Sequence, residues 1–158
     1  MIIRKAIEKD ASQIAEVMLD FYNMKNSQEA IDAFKSEMSK DYKYILVLED
    51  GRIIGLVTWL MHGLPKHGLF ELDRICILKK SRGKGVGKIL VESLINDARN
   101  WYKDNGFRIR KLYLLTHEDN TAAHAFYEKV GFKHEATLDS HYYEQKDERV
   151  YSLFFNEP

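Results

Sequence analysis

Residues 82–87, Arg-Gly-Lys-Gly-Val-Gly, place three glycines at alternate positions between a predicted strand and a predicted long helix. The strand is expected over residues 69–78, after a loop at about residues 62–68. The helix is expected to bury one stripe, made of Val86, Leu90, Leu94, Ala98 and Trp101. A glycine-rich turn before a helix exposes consecutive backbone N–H groups at the positive end of the helix dipole. The stretch therefore predicts a mixed α/β fold with an anion site at the turn.

Five basic side chains surround this turn without an intervening acid: Lys79, Lys80, Arg82, Lys84 and Lys88. The whole chain has 24 basic and 24 acidic residues, so the cluster is a local feature. The turn either binds a phosphate-bearing ligand or is a tight connection with a solvated basic rim. Its spacing excludes two common phosphate loops. Lys88 is followed by Ile89 rather than Ser or Thr, and Leu90 stands where a dinucleotide fingerprint has its third glycine.

Length and composition predict one domain over residues 1–158, with 45% hydrophobic and 30% charged residues. A chain of this size can bury a core without a disulfide or metal. Its balanced charge argues against nucleic acid as a partner, and no apolar stretch is long enough to span a membrane. The first ten residues lack a signal-peptide core, and the single Cys76 fits a reducing compartment. We therefore expect a cytoplasmic protein.

The other elements follow from periodicity and turn chemistry. Asp10 and Gln13 form the pattern of a capping box at the start of a first helix. Asp50-Gly51 predicts a hairpin, and Asn120 caps a short helix that Gly131 ends. A second helix is expected over 27–38, and strands are expected over 2–6, 44–48, 52–60, 69–78, 111–116, 132–138 and 150–155. The class is α+β or mixed α/β, with helices packed on one sheet.

Two blocks together resemble the GNAT superfamily of N-acetyltransferases. Arg82-x-x-Gly85-x-Gly87 is similar to that superfamily's acyl-CoA pyrophosphate loop. Asn120-x-x-Ala123-x-x-Phe126-Tyr127-Glu128-Lys129-x-Gly131-Phe132 is similar to its later motif. Both blocks stand in the family's order, and the resemblance covers nearly the whole chain. It implies a single mixed, mostly antiparallel sheet with helices on both faces, splayed between the strands ending near Leu78 and Thr116, where acetyl-CoA enters as co-substrate.

The resemblance also implies which residues hold acetyl-CoA. The backbone around Ile75, Cys76 and Ile77 would pair with the pantetheine arm, while the Cys76 side chain is expected in the core. The pyrophosphate would lie on the turn, formed by Arg82, Gly83, Lys84, Gly85, Val86, Gly87 and Lys88. Asn120 would help to position the co-substrate. Tyr127 would protonate the leaving thiolate, although its position on the helix equally suits a core residue.

Two carboxylates are candidates for the general base. Glu71 and Asp73 lie two apart on a strand and so point to one face. Glu71, eleven residues before Arg82, resembles the catalytic glutamate of histone-type members, and Asp73 is the alternative. Either could act directly or through water, bind a cationic substrate, or pair with Arg74.

The sequence departs from one branch of the superfamily. Members that acetylate ribosomal-protein N-termini carry a glutamate five residues before the motif asparagine, where this chain has Leu115. The segment His141-Tyr142-Tyr143 is nevertheless loosely similar to the aromatic substrate loop of those enzymes. The six histidines are scattered without a metal-ligand spacing, so no metal site is expected.

These observations predict an N-acetyltransferase that moves an acetyl group from acetyl-CoA to a primary amine by direct transfer in a ternary complex. A small amine or polyamine is the expected acceptor, with a protein N-terminus or lysine as the alternative. The late part of the chain is rich in acidic residues, which either attract a cationic acceptor or belong to a solvated loop. They are Glu135, Asp139, Glu144, Asp147 and Glu148. A non-catalytic acyl-CoA sensor is a further alternative. A homodimer is compatible with the resemblance, since the family often dimerises.

Overall fold

The computed structural model describes residues 1–21 and 24–157 of the chain. This part of the chain contains seven strands and four α-helices. The strands are β1 (Ile2–Lys5), β2 (Lys43–Glu49), β3 (Arg52–His62), β4 (Leu69–Ile77), β5 (Lys111–His117), β6 (Lys133–Tyr143) and β7 (Lys146–Phe154). The helices are α1 (Ala11–Leu19), α2 (Ser27–Ser39), α3 (Val86–Asp104) and α4 (Thr121–Lys129). None of these helices is both long and apolar enough to cross a membrane.

The strands form one mixed sheet in the order β1-β2-β3-β4-β5-β7-β6. The pairs β1–β2, β2–β3, β5–β7 and β6–β7 are antiparallel, and β4 pairs with β5 in parallel. That parallel register joins Leu69–Glu71 to Lys111–Tyr113, the first three residues of each strand. The mixed, mostly antiparallel sheet confirms the predicted fold class.

The chain divides into two compact units. One comprises Met1–Leu60 with Leu72–Asp97, and the other comprises Met61–Glu71 with Ala98–Pro158. Strand β4 and helix α3 each contribute residues to both units. That the whole chain acts as a single domain stays a prediction.

In the first unit, the central strand β2 is covered on both faces. Tyr44, Leu46 and Leu48 pack with buried residues of α1 and α2, and the intervening Ile45 and Val47 are buried on the opposite face. Gly55 of β3 pairs with Val47 and so lies on that second face. A Cβ at Gly55 would come within 3.2 Å of a Leu90 methyl group and 3.3 Å of a Val86 methyl group, both on α3. Helices therefore cover this part of the sheet on both sides.

In the second unit, the Tyr102 side chain ties α3 to the start of β4. Its hydroxyl donates to the Leu69 carbonyl oxygen at 2.7 Å, and its ring lies 6.0 Å from that of Phe70. Burial raises the pKa of Tyr102 to about 12. Tyr102 is fully buried, whereas Trp101, predicted to belong to the buried stripe, is half-buried. Trp101 is thus partly buried, and the fully buried residue at this end of the helix is Tyr102.

The predicted capping box at Asp10 is also wrong, although α1 does begin directly after this residue. The Asp10 carboxylate accepts two hydrogen bonds from the Arg4 guanidinium, each 2.8 Å, and one from the Ile7 N–H. The Gln13 amide oxygen instead accepts from the Ile53 N–H at 2.9 Å. The hydrogen bonds from Arg4 lower the pKa of Asp10. Partners outside the helix therefore displace the local cap.

The hairpin of β6 and β7 is longer than predicted. His141-Tyr142-Tyr143 lies at the end of β6 rather than in a loop, because Tyr143 pairs with Lys146 across the turn. Tyr142 and Tyr143 are 60% and 63% exposed. The expected aromatic loop is therefore an exposed strand end.

Candidate functional site

The glycine-rich turn presents backbone donors in the first unit. Gly83 and Gly85 adopt φ values of +75° and +82°, which residues other than glycine rarely adopt. A Cβ added at either position would have no heavy atom within 4 Å. The Ile89 N–H donates to the Gly85 carbonyl oxygen at 3.2 Å, the first bond of α3. The amides of residues 86–88 precede this bond and point out of the helix N-terminus. This geometry fits the predicted pyrophosphate site.

Arg82 holds the base of the turn. Its Nε donates to the Ile77 carbonyl oxygen at 2.9 Å, and its guanidinium carbon lies 5.4 Å from the centre of the Phe21 ring. Its backbone N–H donates to the Lys79 carbonyl oxygen. The Lys79 N–H in turn donates to the Asp20 carboxylate at 2.8 Å, which fastens the turn to the end of α1. The side chains of Lys84 and Lys88 are exposed around the amides.

The end of β4 offers an alternating backbone beside this turn. The Leu78 N–H donates to the Ile54 carbonyl oxygen of β3 at 2.9 Å. Since backbone groups alternate along a strand, those of Ile75 and Ile77 point to the opposite edge of β4. The Cys76 side chain is fully buried in the core. Ile75 and Ile77 thus have the orientation that pairing with an extended ligand requires.

The second unit contains a carboxylate paired with a histidine. Glu71 Oε2 lies 2.6 Å from His62 Nε2, and the Tyr113 hydroxyl lies 3.4 Å from the same oxygen. The side chain of His62 is 36% exposed and that of Glu71 is 15% exposed. The sequence does not indicate a role for His62, because the periodicity predicts that β3 ends at residue 60 and no motif contains this histidine.

The other candidate base, Asp73, is exposed on β4. Phe70 and Leu72 are buried at the alternate positions, so Glu71 and Asp73 share the other face of the strand, as predicted. Arg74 donates to both Glu37 carboxylate oxygens, at 2.7 and 2.9 Å, and to the Tyr44 hydroxyl. Burial raises the pKa of Tyr44. Arg74 thus anchors α2 to the sheet.

Helix α4 carries the later motif. The Asn120 side-chain oxygen accepts from the Ala123 N–H at 3.2 Å, which confirms the predicted helix cap. Tyr127 is 7% exposed, and its ring lies 5.7 Å from that of Phe132 and 6.1 Å from that of Tyr151. The Tyr127 ring is therefore part of the core of the second unit.

Most of the five acidic residues of the late segment bind other groups of the protein. Glu135 binds Lys111 at 2.7 Å, which lowers its pKa, and Asp147 accepts from the Ser140 N–H at 3.0 Å. Glu148, 2% exposed, is hydrogen-bonded to His117, a pair that no sequence motif indicates. No group of three or more potential metal ligands occurs among residues 1–21 and 24–157.

Comparison with known proteins agrees with both motif blocks. Residues 11–132 match the model of the acetyltransferase (GNAT) family. A spermine/spermidine N(1)-acetyltransferase from Bacillus subtilis (strain 168) is 29% identical over 134 residues, covering 77% of this chain and 83% of the relative. An acetyltransferase structure of the GNAT family from Desulfovibrio desulfuricans superposes with a TM-score of 0.82 at 21% identity, covering 97% and 98% of the two chains. An aminoglycoside 6'-N-acetyltransferase complexed with coenzyme A gives 0.81 at 14% identity, covering 100% and 99%.

Proposed function

Because the chain belongs to the GNAT acetyltransferase family and is an acetyl-CoA-dependent acyltransferase, we propose that it acetylates a primary amine of a polyamine. Transfer would be direct, in a ternary complex of enzyme, acetyl-CoA and acceptor. The observation that carries the acceptor class is the similarity to the spermine/spermidine N(1)-acetyltransferase, which extends over 77% of this chain.

The charges on β4 support a cationic acceptor. Asp73 is exposed, and the partly exposed Glu71 lies two residues before it on the same strand face. Polyamines carry several positive charges at neutral pH, so carboxylates on the acceptor's path raise its local concentration. The acidic residues of the late segment contribute less to this proposal, since three of them bind Lys111, His117 and the Ser140 N–H.

The motif residues have distinct proposed roles toward acetyl-CoA. The thioester of acetyl-CoA supplies the activated acetyl group. The amides of residues 86–88 would bind the pyrophosphate, and the backbone of Ile75 and Ile77 would pair with the pantetheine arm. Asn120 would position the co-substrate, while Tyr127 would donate its phenolic proton to the leaving sulfur. Glu71 or Asp73 would accept the proton of the attacking nitrogen, directly or through water.

The test is thiol release from acetyl-CoA near pH 8 with a panel of amines. The panel contains spermine, spermidine, single amino acids, aminoglycosides and peptides with a free N-terminus or lysine. Polyamines are expected to give the highest kcat/KM. A preference for peptides would refute the acceptor class, and acetyl-CoA binding without transfer to any amine would refute catalysis.

A pair of charge variants sharpens this test. Asp73→Asn is expected to raise the KM for spermidine about 5-fold, since an exposed charge contributes at most about 1 kcal/mol. Glu144→Gln removes a charge that is also exposed, but on the β6–β7 hairpin, and is expected to leave the KM unchanged. Equal effects of the two substitutions would contradict a local role for Asp73.

A further inference from the structure

The His62–Glu71 pair has the arrangement of a base and an orienting carboxylate. We propose that His62, through its Nδ1, takes the proton from the acceptor ammonium, and that Glu71 orients the imidazole. This inference rests on the proposed amine acetylation and changes the role of Glu71 from base to positioning residue. His62 would then be a catalytic residue that neither motif block contains.

The hydrogen bonding at Glu71 determines which imidazole nitrogen can accept a proton. His62 Nε2 lies 2.6 Å from a Glu71 oxygen, so Nε2 carries the hydrogen and donates it to the carboxylate. In a neutral imidazole the second nitrogen, Nδ1, then has the free lone pair. The Tyr113 hydroxyl, 3.4 Å from the same Glu71 oxygen, helps to fix the carboxylate.

Exposure and charge favour His62 over Glu71 as the group that meets the acceptor. The His62 side chain is 36% exposed, whereas that of Glu71 is 15% exposed. The imidazole contacts the Glu71 carboxylate on β4, and its ring centre lies 5.5 Å from that of the Tyr113 ring on β5. A carboxylate beside a histidine stabilises the imidazolium that forms on protonation.

The ammonium of the acceptor gives one proton to His62 Nδ1, and the neutral nitrogen then forms the C–N bond to the acetyl carbon as the C–S bond breaks. The departing sulfur gains a proton from the Tyr127 phenol. The nitrogen loses its second proton when the amide forms, which restores the phenol. The imidazolium releases its proton to solvent, so one proton is set free in each turnover.

Two variants separate His62 from Glu71 in pH profiles of kcat/KM. His62→Gln keeps a donor near the Nε2 position but cannot take up a proton, and is expected to lower kcat/KM about 100-fold and to abolish the acidic limb. Glu71→Gln is expected to cause a smaller loss and to keep the acidic limb, because the imidazole that takes up the proton is still present. The control is His67→Asn, whose amide oxygen can accept from the Leu64 N–H as His67 Nδ1 does at 3.0 Å. It should behave like the wild type.

The pH profiles of the two variants distinguish a His62 base from a Glu71 base. If His62→Gln retains its acidic limb while Glu71→Gln loses it, Glu71 is the direct base and the inference is overturned, although amine acetylation stands. If the wild type transfers acetyl to no amine, the proposed function fails and takes the inference with it.

A measurement independent of turnover is the ¹⁵N NMR spectrum of the histidines, with His62 assigned by comparison with His62→Gln. Neutral His62 is expected to carry its hydrogen on Nε2, the nitrogen that faces Glu71. A His62 ring protonated on Nδ1 in its neutral form would overturn the proposal.

Discussion

Gly85→Ala should weaken acetyl-CoA binding far more than a glycine-to-alanine substitution at another site of positive φ. Gly85 has a φ of +82°, and a Cβ added there would have no heavy atom within 4 Å, so the cost of Gly85→Ala is conformational rather than steric. An alanine in the left-handed region costs about 1–2 kcal/mol. At about 2–4 °C per kcal/mol for a chain of this size, Tm should fall by about 2–8 °C.

The effect on binding comes from the amides of residues 86–88. If the alanine of Gly85→Ala relaxes toward negative φ, the first turn of α3 changes direction, and at least one hydrogen bond to a charged phosphate is lost. Such a bond contributes about 1.5–3 kcal/mol, which corresponds to about a 10- to 100-fold rise in Kd for acetyl-CoA.

Gly51 supplies the matched control. It has a φ of +74° and equally open surroundings, but it lies in the β2–β3 hairpin. Gly51→Ala should therefore lower Tm by a similar amount and leave the Kd unchanged. Calorimetric titration with acetyl-CoA and thermal unfolding measure both quantities. Equal Kd values for the two variants would refute the assignment of the turn as the pyrophosphate site.

Three further predictions concern single side chains. Tyr127→Phe keeps the ring packing against Phe132 and Tyr151, and kcat should fall about 100-fold because the phenolic proton is removed; an unchanged kcat at every pH would show that Tyr127 is not the proton donor. Asn120→Ala removes the cap on Ala123 and should cost about 1 kcal/mol in urea unfolding, whereas Asn120→Asp should not; equal losses would contradict the capping role. Asp10→Asn should cost about 1 kcal/mol at pH 7, because the partner Arg4 is partly exposed. Since Arg4 lowers the pKa of Asp10, this stability is present above the unfolded pKa of about 3.9 and is lost as the pH falls through the lower folded pKa, so the difference between variant and wild type in urea unfolding should shrink steadily as the pH is lowered below about 3.9.

Features that depend on neighbouring residues could be predicted from the sequence. The Asp50-Gly51 turn, the Asn120 cap and the positive φ values of Gly83 and Gly85 all arise from local backbone chemistry. The α/β class followed from the alternation of helical and strand periods. These features depend on contacts within a few residues, where sequence patterns carry most information.

Features that depend on distant partners could not be predicted. Asp10 has the spacing of a capping box, yet Arg4 and Ile7 bind its carboxylate. The proposed role of His62 becomes apparent only in the fold, because β3 extends to residue 62 and places the imidazole beside Glu71. Periodicity specifies the face on which a side chain lies, but not the atom that it meets there.

Because β2 is buried on both faces, the rate of deuterium uptake by its amides should report how tightly a ligand binds to the first unit. Amides in such a strand exchange with solvent deuterium through unfolding of the unit that contains it, and the glycine-rich turn belongs to the same unit. A ligand bound at the turn and present at 100 times its Kd would raise the free energy of unfolding by about 2.7 kcal/mol. Deuterium uptake in β2 would then slow about 100-fold. Residues that never touch acetyl-CoA would thus report its affinity without an acceptor or a turnover.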